Sequence, residues 1–567
     1  MRGCARYGGL AAAIALGLLL RFWNLDLKPL WLDETITLLF SLGRSYDDIP
    51  RETLLPLAEL LQPLQWHPQS CSAIAETIAQ QSTHPPLFFC LMHRWMGYLQ
   101  ESGHSLRWQV RSLSALFGTG AIAVMYILNR VAFSHRAGLW AAGLMAVSPF
   151  AVYLSQEARH YTLPMLVIAA SLIPLVQLCA AAPAKRKRLP WLAWIGLNSL
   201  GFYVHYFCIL AFAAQIVTLM AVFLQRRRAG GGTADVWCGA IATGSIISSM
   251  LPWLPVLLDH TQRPETDWLK FDATLGLHWL EPIARLLAGC IVTVIMLPVE
   301  EQPLSIAIVN GLLAFGFIGY LTRWLWQNRE QLFQTEQACQ SARVLQYFLL
   351  AVGVEYLLLV YILHKDLTLA FRYNFIFYPA LCALLAASVA ELRSQARNAF
   401  GKRLLPWALI LVGVISSGFV ATDAAFAKPF SPKQIAERLL HQPTNAHLVA
   451  IENYSNSQDV ALGLSFALAV DQLQPATSEP LKHVEWGFSK STDPRNDRLA
   501  IDGRSPLSNS FTLWRIGSLK ADKRPMPEKL KLQVDLNSDR ATATCLSQEK
   551  PFFNMGLTFQ RYNCKGS

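Results

Sequence analysis

The sequence predicts an all-α polytopic membrane protein of about 11 transmembrane helices plus juxtamembrane helices, closed by a small C-terminal soluble α/β domain. Three observations carry this. Of 567 residues, 53% are apolar and only 15% charged, far from the balance of a soluble chain. Apolar runs of spanning length recur, divided by short lysine and arginine clusters. From Phe426 onward the composition turns abruptly polar.

The formal net charge of +11 does not point to nucleic acid. The basic residues sit between apolar runs, where they orient spans, and form no stripe. The 11 cysteines are scattered without a CxxC pair or Cys/His ligand spacing, which excludes a zinc ribbon or a redox motif.

The N-terminal MRGCARYGGLAAAIALGLLL is read as an uncleaved first span with Arg2 and Arg6 cytoplasmic. Residues 21–107 contain no clean spanning run and form a first outer loop. Its central stretch, RFWNLDLKPLWLDETITLLFS from Arg21 to Ser41, sets Asp33 and Glu34 beside Trp23 and Trp31. Adjacent carboxylates at an aromatic-rich interface read as a catalytic loop, or else as acids in the first turn of a helix beginning near Glu34. Further on, His84-Pro85-Pro86 opens an amphipathic juxtamembrane helix from Leu87 to Leu99.

Spans are expected over Val110–Leu128, Ala137–Leu154, Tyr161–Ala182, Leu189–Val204 and Phe207–Leu224, the last two forming a hairpin that turns at His205-Tyr206. Basic groups at Arg130 and Arg136, Lys185–Arg188 and Arg226–Arg228 follow every second span, as the positive-inside rule requires. Asp33, Glu34, His84, Glu157, Arg159 and His205 are therefore expected on one outer face. Val236–Leu258, Ser305–Leu325, Val344–Leu363, Leu369–Ala390 and Leu404–Val420 complete the spans. Thr274–Leu297 is left as a membrane-dipping helix pair, interrupted by Trp279, Glu281 and Arg285. The domains are thus 1–425 in the membrane and 426–567 extracytoplasmic, with strands near Ala446–Glu452, Phe511–Ile516, Leu530–Leu536 and Met555–Tyr562. Cys545 and Cys564 form a disulfide there or remain free thiols.

Separated acids on one membrane face, Asp33-Glu34 and Glu157, offer one carboxylate to accept a proton and another to position or balance charge. The alternative is that Arg159, within a helical turn of Glu157, simply pairs with it, but a charged pair at a span end has water available and gains little stability. His84, His205 and Tyr206 are candidate substrate contacts; His205 with Glu157 is the pair that would ligand a divalent metal, though no HExxH spacing supports one. Lys365, Arg372 and Tyr373 bring cations to the interface, where they meet a lipid phosphate or snorkel to headgroups.

LWLDE, THPPLFF, LRWQVRSLSALFG, SPFAVYLSQEARHYTL, GFYVHYF, SMLPWLP and FRYNFIFYPAL, in this order over residues 10–395, resemble the GT-C membrane glycosyltransferases. The branch is similar to glycosyltransferase family 39, with its protein O-mannosyltransferases and aminoarabinose lipid A transferases. The resemblance implies a GT-C fold, a polyprenyl-phosphate-linked sugar donor, and inverting transfer on the outer side of the plasma (inner) membrane to a lipid, glycan or protein acceptor. It makes Asp33 the base, Glu34 its neighbour in the motif and Glu157 a second acid. Where the aminoarabinose branch has a lysine before the proline, this chain has His84, so His84, Lys365 and Arg372 are the substitutes for the phosphate contact. The chemistry needs no nucleotide, and neither a P-loop nor a GxGxxG occurs. The competing classes are a lipid-linked sugar transporter or flippase, for which repeat symmetry and mid-bilayer charge are lacking, and a membrane scaffold with an outer binding domain.

Overall fold

A backbone in lipid must satisfy its own hydrogen bonds, so apolar runs of spanning length fold as helices, and the computed structural model of the protein is mostly helical. It describes residues 2–180, 188–228, 233–271, 276–300, 302–329, 334–395, 399–426, 428, 431–440, 447–473, 483–490, 498–503, 509–517, 526–536, 540–548, 550–554 and 557–566. Of the basic loop Lys185–Arg188, only Arg188 falls inside these ranges.

In chain order the helices are α1 (Arg2–Phe22), α2 (Leu32–Ser41), α3 (Leu57–Leu60), α4 (Cys71–Gln81), α5 (Leu87–Leu99), α6 (Leu106–Ala132), α7 (His135–Val147), α8 (Pro149–Ser155), α9 (Thr162–Ala180) and α10 (Arg188–Val204). They continue with α11 (Cys208–Arg228), α12 (Ala234–Met250), α13 (Leu254–Thr261), α14 (Glu281–Val292), α15 (Leu304–Gln327), α16 (Glu336–Tyr361), α17 (Tyr378–Gln395), α18 (Ala399–Ala421), α19 (Pro432–Leu440) and α20 (Ser457–Leu473). Among the described residues, 7 helices are long and apolar enough to cross a membrane, or 8 if the bent pair α7–α8 is one span. The protein is multi-pass, with fewer clear crossings than the 11 or so expected.

The shortfall has local causes. α10 stops at 17 residues. The expected span Leu369–Ala390 begins as two 3-10 turns, Leu367–Leu369 and Phe371–Ile376, and becomes helical only at Tyr378, where Pro379 suits the first turn. Arg372 therefore lies in irregular backbone ahead of α17, not inside a span. Thr274–Leu297 is a 3-10 turn at Leu277–Leu280 followed by the 12-residue α14, a single short helix instead of a pair; residues 274 and 275 lie outside the described ranges.

Contacts group the chain into two units: residues 1–25, 78–92 and 108–426 in the first, and residues 26–77, 93–107 and 427–567 in the second. The first outer loop, 21–107, is thus divided between them. In the first unit, the expected span Ala137–Leu154 bends by 57° between α7 and α8. Pro149 lacks the N–H that Met145 would receive, which strands carbonyls at the end of α7. Buried Arg21 repairs them, donating to Met145 O at 2.9 Å and to Ala146 O at 3.0 Å. Ser417 Oγ donates to Val147 O at 2.9 Å, and Ser148 Oγ caps α8 by accepting from Ala151 N. A cation at a helix C-terminus also complements the helix dipole.

The second unit corrects the expected α/β domain. Its strands are β1 (Thr53–Pro56), β2 (His447–Asn453), β3 (His483–Ser489), β4 (Arg498–Gly503), β5 (Ser510–Ile516), β6 (Lys529–Asp535), β7 (Arg540–Ser547), β8 (Phe552–Asn554) and β9 (Leu557–Gly566). They pair in the order β5-β2-β3-β1-β4-β6-β7-β9, and β9 returns to β5, so the sheet closes into a barrel; β8 adds to β9. Alternation explains the inside: β4 buries every second residue, and Leu499, Ile501, Leu530, Leu532 and Val534 share the core with Val449 and Phe511. The first loop supplies β1, parallel to β4 and antiparallel to β3, which covers two strand edges that would otherwise lie open. Cys545 and Cys564, facing each other on β7 and β9, are joined in a disulfide.

Candidate functional site

The first unit gathers its site around the turn Gln156–Tyr161 between α8 and α9. Gln156 Nε2 donates to Trp23 O at 2.8 Å and to Leu20 O at 3.2 Å, which caps the end of α1 and fixes the turn. Ser114 Oγ holds it from α6 through Arg159 O at 2.9 Å, and Arg159 N donates to Glu157 O at 2.7 Å. Glu157, Arg159, His160 and Tyr161 are consequently all buried.

Tyr161 is the hub. Arg159 Nη2 donates to its hydroxyl at 3.1 Å, and the Arg159 guanidinium lies 5.4 Å from its ring. The Arg372 guanidinium sits 5.9 Å from the same ring, 5.7 Å from Trp268 and 5.6 Å from Tyr373. Three aromatic faces thus hold one cation at a fixed place, the geometry in which a guanidinium is attracted by ring quadrupoles. Tyr373 packs edgewise and Phe375 tilted against Tyr161, both at about 6 Å.

Three histidines from three separate stretches meet there. The His160 ring lies 4.5 Å from His84 and 4.6 Å from His205, which are 6.0 Å from each other. His205 Nδ1 accepts from Phe207 N at 3.0 Å, so its neutral ring carries the proton on Nε2. That Nε2, and both ring nitrogens of His160, are buried without a hydrogen-bond partner among the described residues. Enclosure lowers the basicity of all three. His205 is pushed down to about 3, with Arg159 adding to the effect. His84 is held well below the usual imidazole range by burial and then by Arg159, and His160 by burial and then by His84 and His205.

His84 is clamped through its own segment. Arg263 donates to Ser82 O and Ala79 O, each at 2.8 Å, and Ser82 Oγ lies 3.3 Å from His84 Nδ1. A directional chain ties the His205 hairpin to the same segment. Trp253 Nε1 donates to the Tyr206 hydroxyl at 2.9 Å, Tyr206 donates to His260 Nδ1 at 2.9 Å, and His260 Nε2 donates to Ala79 O at 3.1 Å. Tyr206 is spent on this chain, and burial raises its phenol to about 12.

The other candidates lie elsewhere. Lys365 Nζ turns to Thr266 O and Oγ1 at 3.4 and 3.3 Å, while Asp366 receives Arg285 at 3.1 Å. Asp33 and Glu34 belong to the second unit, in the first turn of α2, where Glu34 Oε2 accepts from Trp31 N at 3.4 Å. Among the described residues no group of three His, Cys, Asp or Glu side chains is arranged to hold a metal ion, and the pair His205 and Glu157 gains no third partner. Beside the hairpin, α10, α11 and α12 enclose an apolar cavity of about 320 Å³, lined by Phe202, Ile209, Phe212, Ile216, Met250 and Leu254.

Residues 83–253, which carry His84, the Gln156–Tyr161 turn and the His205 hairpin, match the family model of dolichyl-phosphate-mannose-protein mannosyltransferase. This is a GT-C glycosyltransferase signature, family-39-like. No curated protein sequence matches the chain. Among solved structures, ArnT from Cupriavidus metallidurans bound to undecaprenyl phosphate is similar at 12% identity and TM-score 0.49, covering 98% of both chains. The apo oligosaccharyltransferase of Archaeoglobus fulgidus is similar at 12% identity and TM-score 0.44, covering 82% of this chain and 64% of that one. AglB of the same organism, in complex with an inhibitory peptide and a dolichol-phosphate, gives 13% identity and TM-score 0.41, over 83% and 64%.

Sequence reasoning passed over His160, Tyr161 and Trp268. His160 stands inside the SQEARHYTL motif, and its only signal is an imidazole next to an arginine at the end of a span.

Proposed function

We propose that the protein is an integral membrane glycosyltransferase that moves a sugar from a polyprenyl-phosphate-linked donor to a hydroxyl of a lipid, glycan or protein. The transfer runs with inversion on the extracytoplasmic side of the plasma (inner) membrane, where the barrel domain also lies. The observation that carries the reading is the convergence of Arg159, Arg372, His160 and His205 on Tyr161, with His84 beside His160. Two guanidiniums with imidazoles beside them suit an anion that offers several acceptor oxygens, and a lipid phosphate is such an anion. The apolar cavity between Phe202 and Leu254 flanks the hairpin bearing His205 and suits the isoprenoid tail.

In the reaction the acceptor hydroxyl loses its proton to a carboxylate and its oxygen attacks the anomeric carbon. The bond from that carbon to the phosphate oxygen breaks, and the electron pair stays on the phosphate, giving polyprenyl phosphate. Arg159 and Arg372 stabilise that developing charge. The LWLDE resemblance assigns the base role to Asp33; Glu157 balances charge in the cationic turn, and Glu34 holds the start of α2.

The test is incubation of the purified, detergent-solubilised protein with a labelled polyprenyl-phosphate sugar and envelope acceptor fractions. Label is expected to move onto an acceptor with release of polyprenyl phosphate. Movement of intact donor across a reconstituted bilayer without any transfer product would replace the enzyme by the flippase.

A further inference from the structure

The His160 side chain is buried at 1% exposure, walled by the rings of Phe88, Phe89 and Tyr161 at 5.9, 6.2 and 4.6 Å and by His84 and His205. Neither ring nitrogen has a partner among the described residues. A buried donor left unmade costs about 1–3 kcal/mol, so the ring is held ready for a group that arrives from outside. The charged and titratable groups around it are His84, His205, Arg159 and Arg372, with the Glu157 carboxylate three residues earlier in the same turn and the Tyr161 hydroxyl already taken by Arg159. Burial and this surrounding positive charge keep the ring neutral.

We propose that His160 is a specificity-determining residue that makes the site hold the phosphate monoester left after transfer more tightly than the phosphodiester donor. The inference rests on the glycosyl-transfer reading. A diester presents one negative charge and two free oxygens. A monoester presents a third acceptor oxygen and, with a second ionisation near pH 6, up to two charges. When the bond from the sugar to the phosphate oxygen breaks, that oxygen keeps the electron pair and becomes the third acceptor. The His160 ring donates an N–H to it, and the second charge draws one proton from water onto the other ring nitrogen. The proton returns to water as the lipid leaves, so His160 gains and loses one N–H bond and forms no covalent bond to the lipid.

The experiment measures binding of two soluble probes to the full-length protein in detergent. Farnesyl phosphate is the monoester, and its methyl ester is the diester. The wild type is expected to prefer the monoester. In His160→Phe, which fits the aromatic walls, that preference should fall by about tenfold or more, the worth of a hydrogen bond to a charged group, with diester affinity falling less than monoester affinity. His160→Gln, retaining one N–H, should fall between them. An unchanged monoester-to-diester ratio in both variants overturns the inference, as does an equal loss for both probes, which would make His160 a packing residue. Failure of the wild type to bind either probe would instead sink the glycosyl-transfer reading.

Discussion

The two units bury charge-bearing groups in opposite ways. In the first, Arg159, Arg372 and three imidazoles crowd together, and among the described residues neither ring nitrogen of His160 has a hydrogen-bond partner. In the second, Glu452 on β2 is fully buried, neither carboxylate oxygen has a hydrogen-bond partner among the described residues, and Asp459 disfavours its charge further. Helix α20 comes so close that a Cβ on Gly463 would lie 2.1 Å from Glu452 Oε2. What Glu452 lacks is a proton, and water supplies protons at no structural cost. A cluster that brings cations and imidazole nitrogens together is a candidate site for an anion. A buried acid whose missing partner is a proton is a pH-dependent structural element.

That contrast can be broken or sharpened by experiment. The largest effect is expected in the barrel: Cys545→Ser should cost about 3 kcal/mol of domain stability, because the disulfide closes a chain segment between β7 and β9. A thermal melt of the variant that overlays the wild type would remove the disulfide from the account of this fold. Next, Asp33→Asn keeps size and hydrogen bonding but cannot take a proton. It should cut turnover by ~10²-fold or more with donor binding retained. Near-normal turnover at matched expression would return Asp33 to a helix-start acid. Glu157→Gln should cost less if it only balances charge.

In the cationic cluster, Arg372→Ala should raise the donor concentration for half-maximal rate by about tenfold. Arg372→Lys should rescue it only in part, since an ammonium replaces neither the planar fork nor the stacking on three rings. Unchanged donor dependence in both would mean that the arginine merely lies among aromatics. The smallest effect is on the slope of stability with pH. Burial raises the Glu452 carboxyl well above its ordinary 4.5, so the folded state holds a proton that the unfolded chain releases. Barrel stability is then greatest below pH 4.5 and falls as pH rises above it, by up to about 1.4 kcal/mol per unit, until the folded carboxyl also ionises. Glu452→Gln should flatten that slope and gain stability on the alkaline side, as chemical denaturation across pH would report.

How much was legible in the chain follows from which interactions are local. The α5 boundaries, the turn at His205 and the barrel strands at Phe511 and Leu530 follow from apolar periodicity and turn residues, which act within a few positions. The break at Pro149 is local too, but only Arg21, more than a hundred residues earlier, makes it tolerable in a buried helix. Closure of the barrel by β1, from the first loop, is likewise invisible to a window of sequence, since its register is set by open edges on β3 and β4.

The same division holds for the site. The sequence by itself determined a membrane protein whose motifs resemble the GT-C glycosyltransferases, and it picked out His84, Glu157, Arg159 and His205 as polar residues at the ends of apolar runs and Arg372 as one within such a run, because a charge beside lipid needs a reason. It could not determine that Tyr206 and Lys365 turn to other partners, nor that His160 joins His84 and His205. Those outcomes depend on which helix ends meet, and that is decided by packing of side chains distant in the chain, each worth little alone and sufficient only when the whole bundle closes.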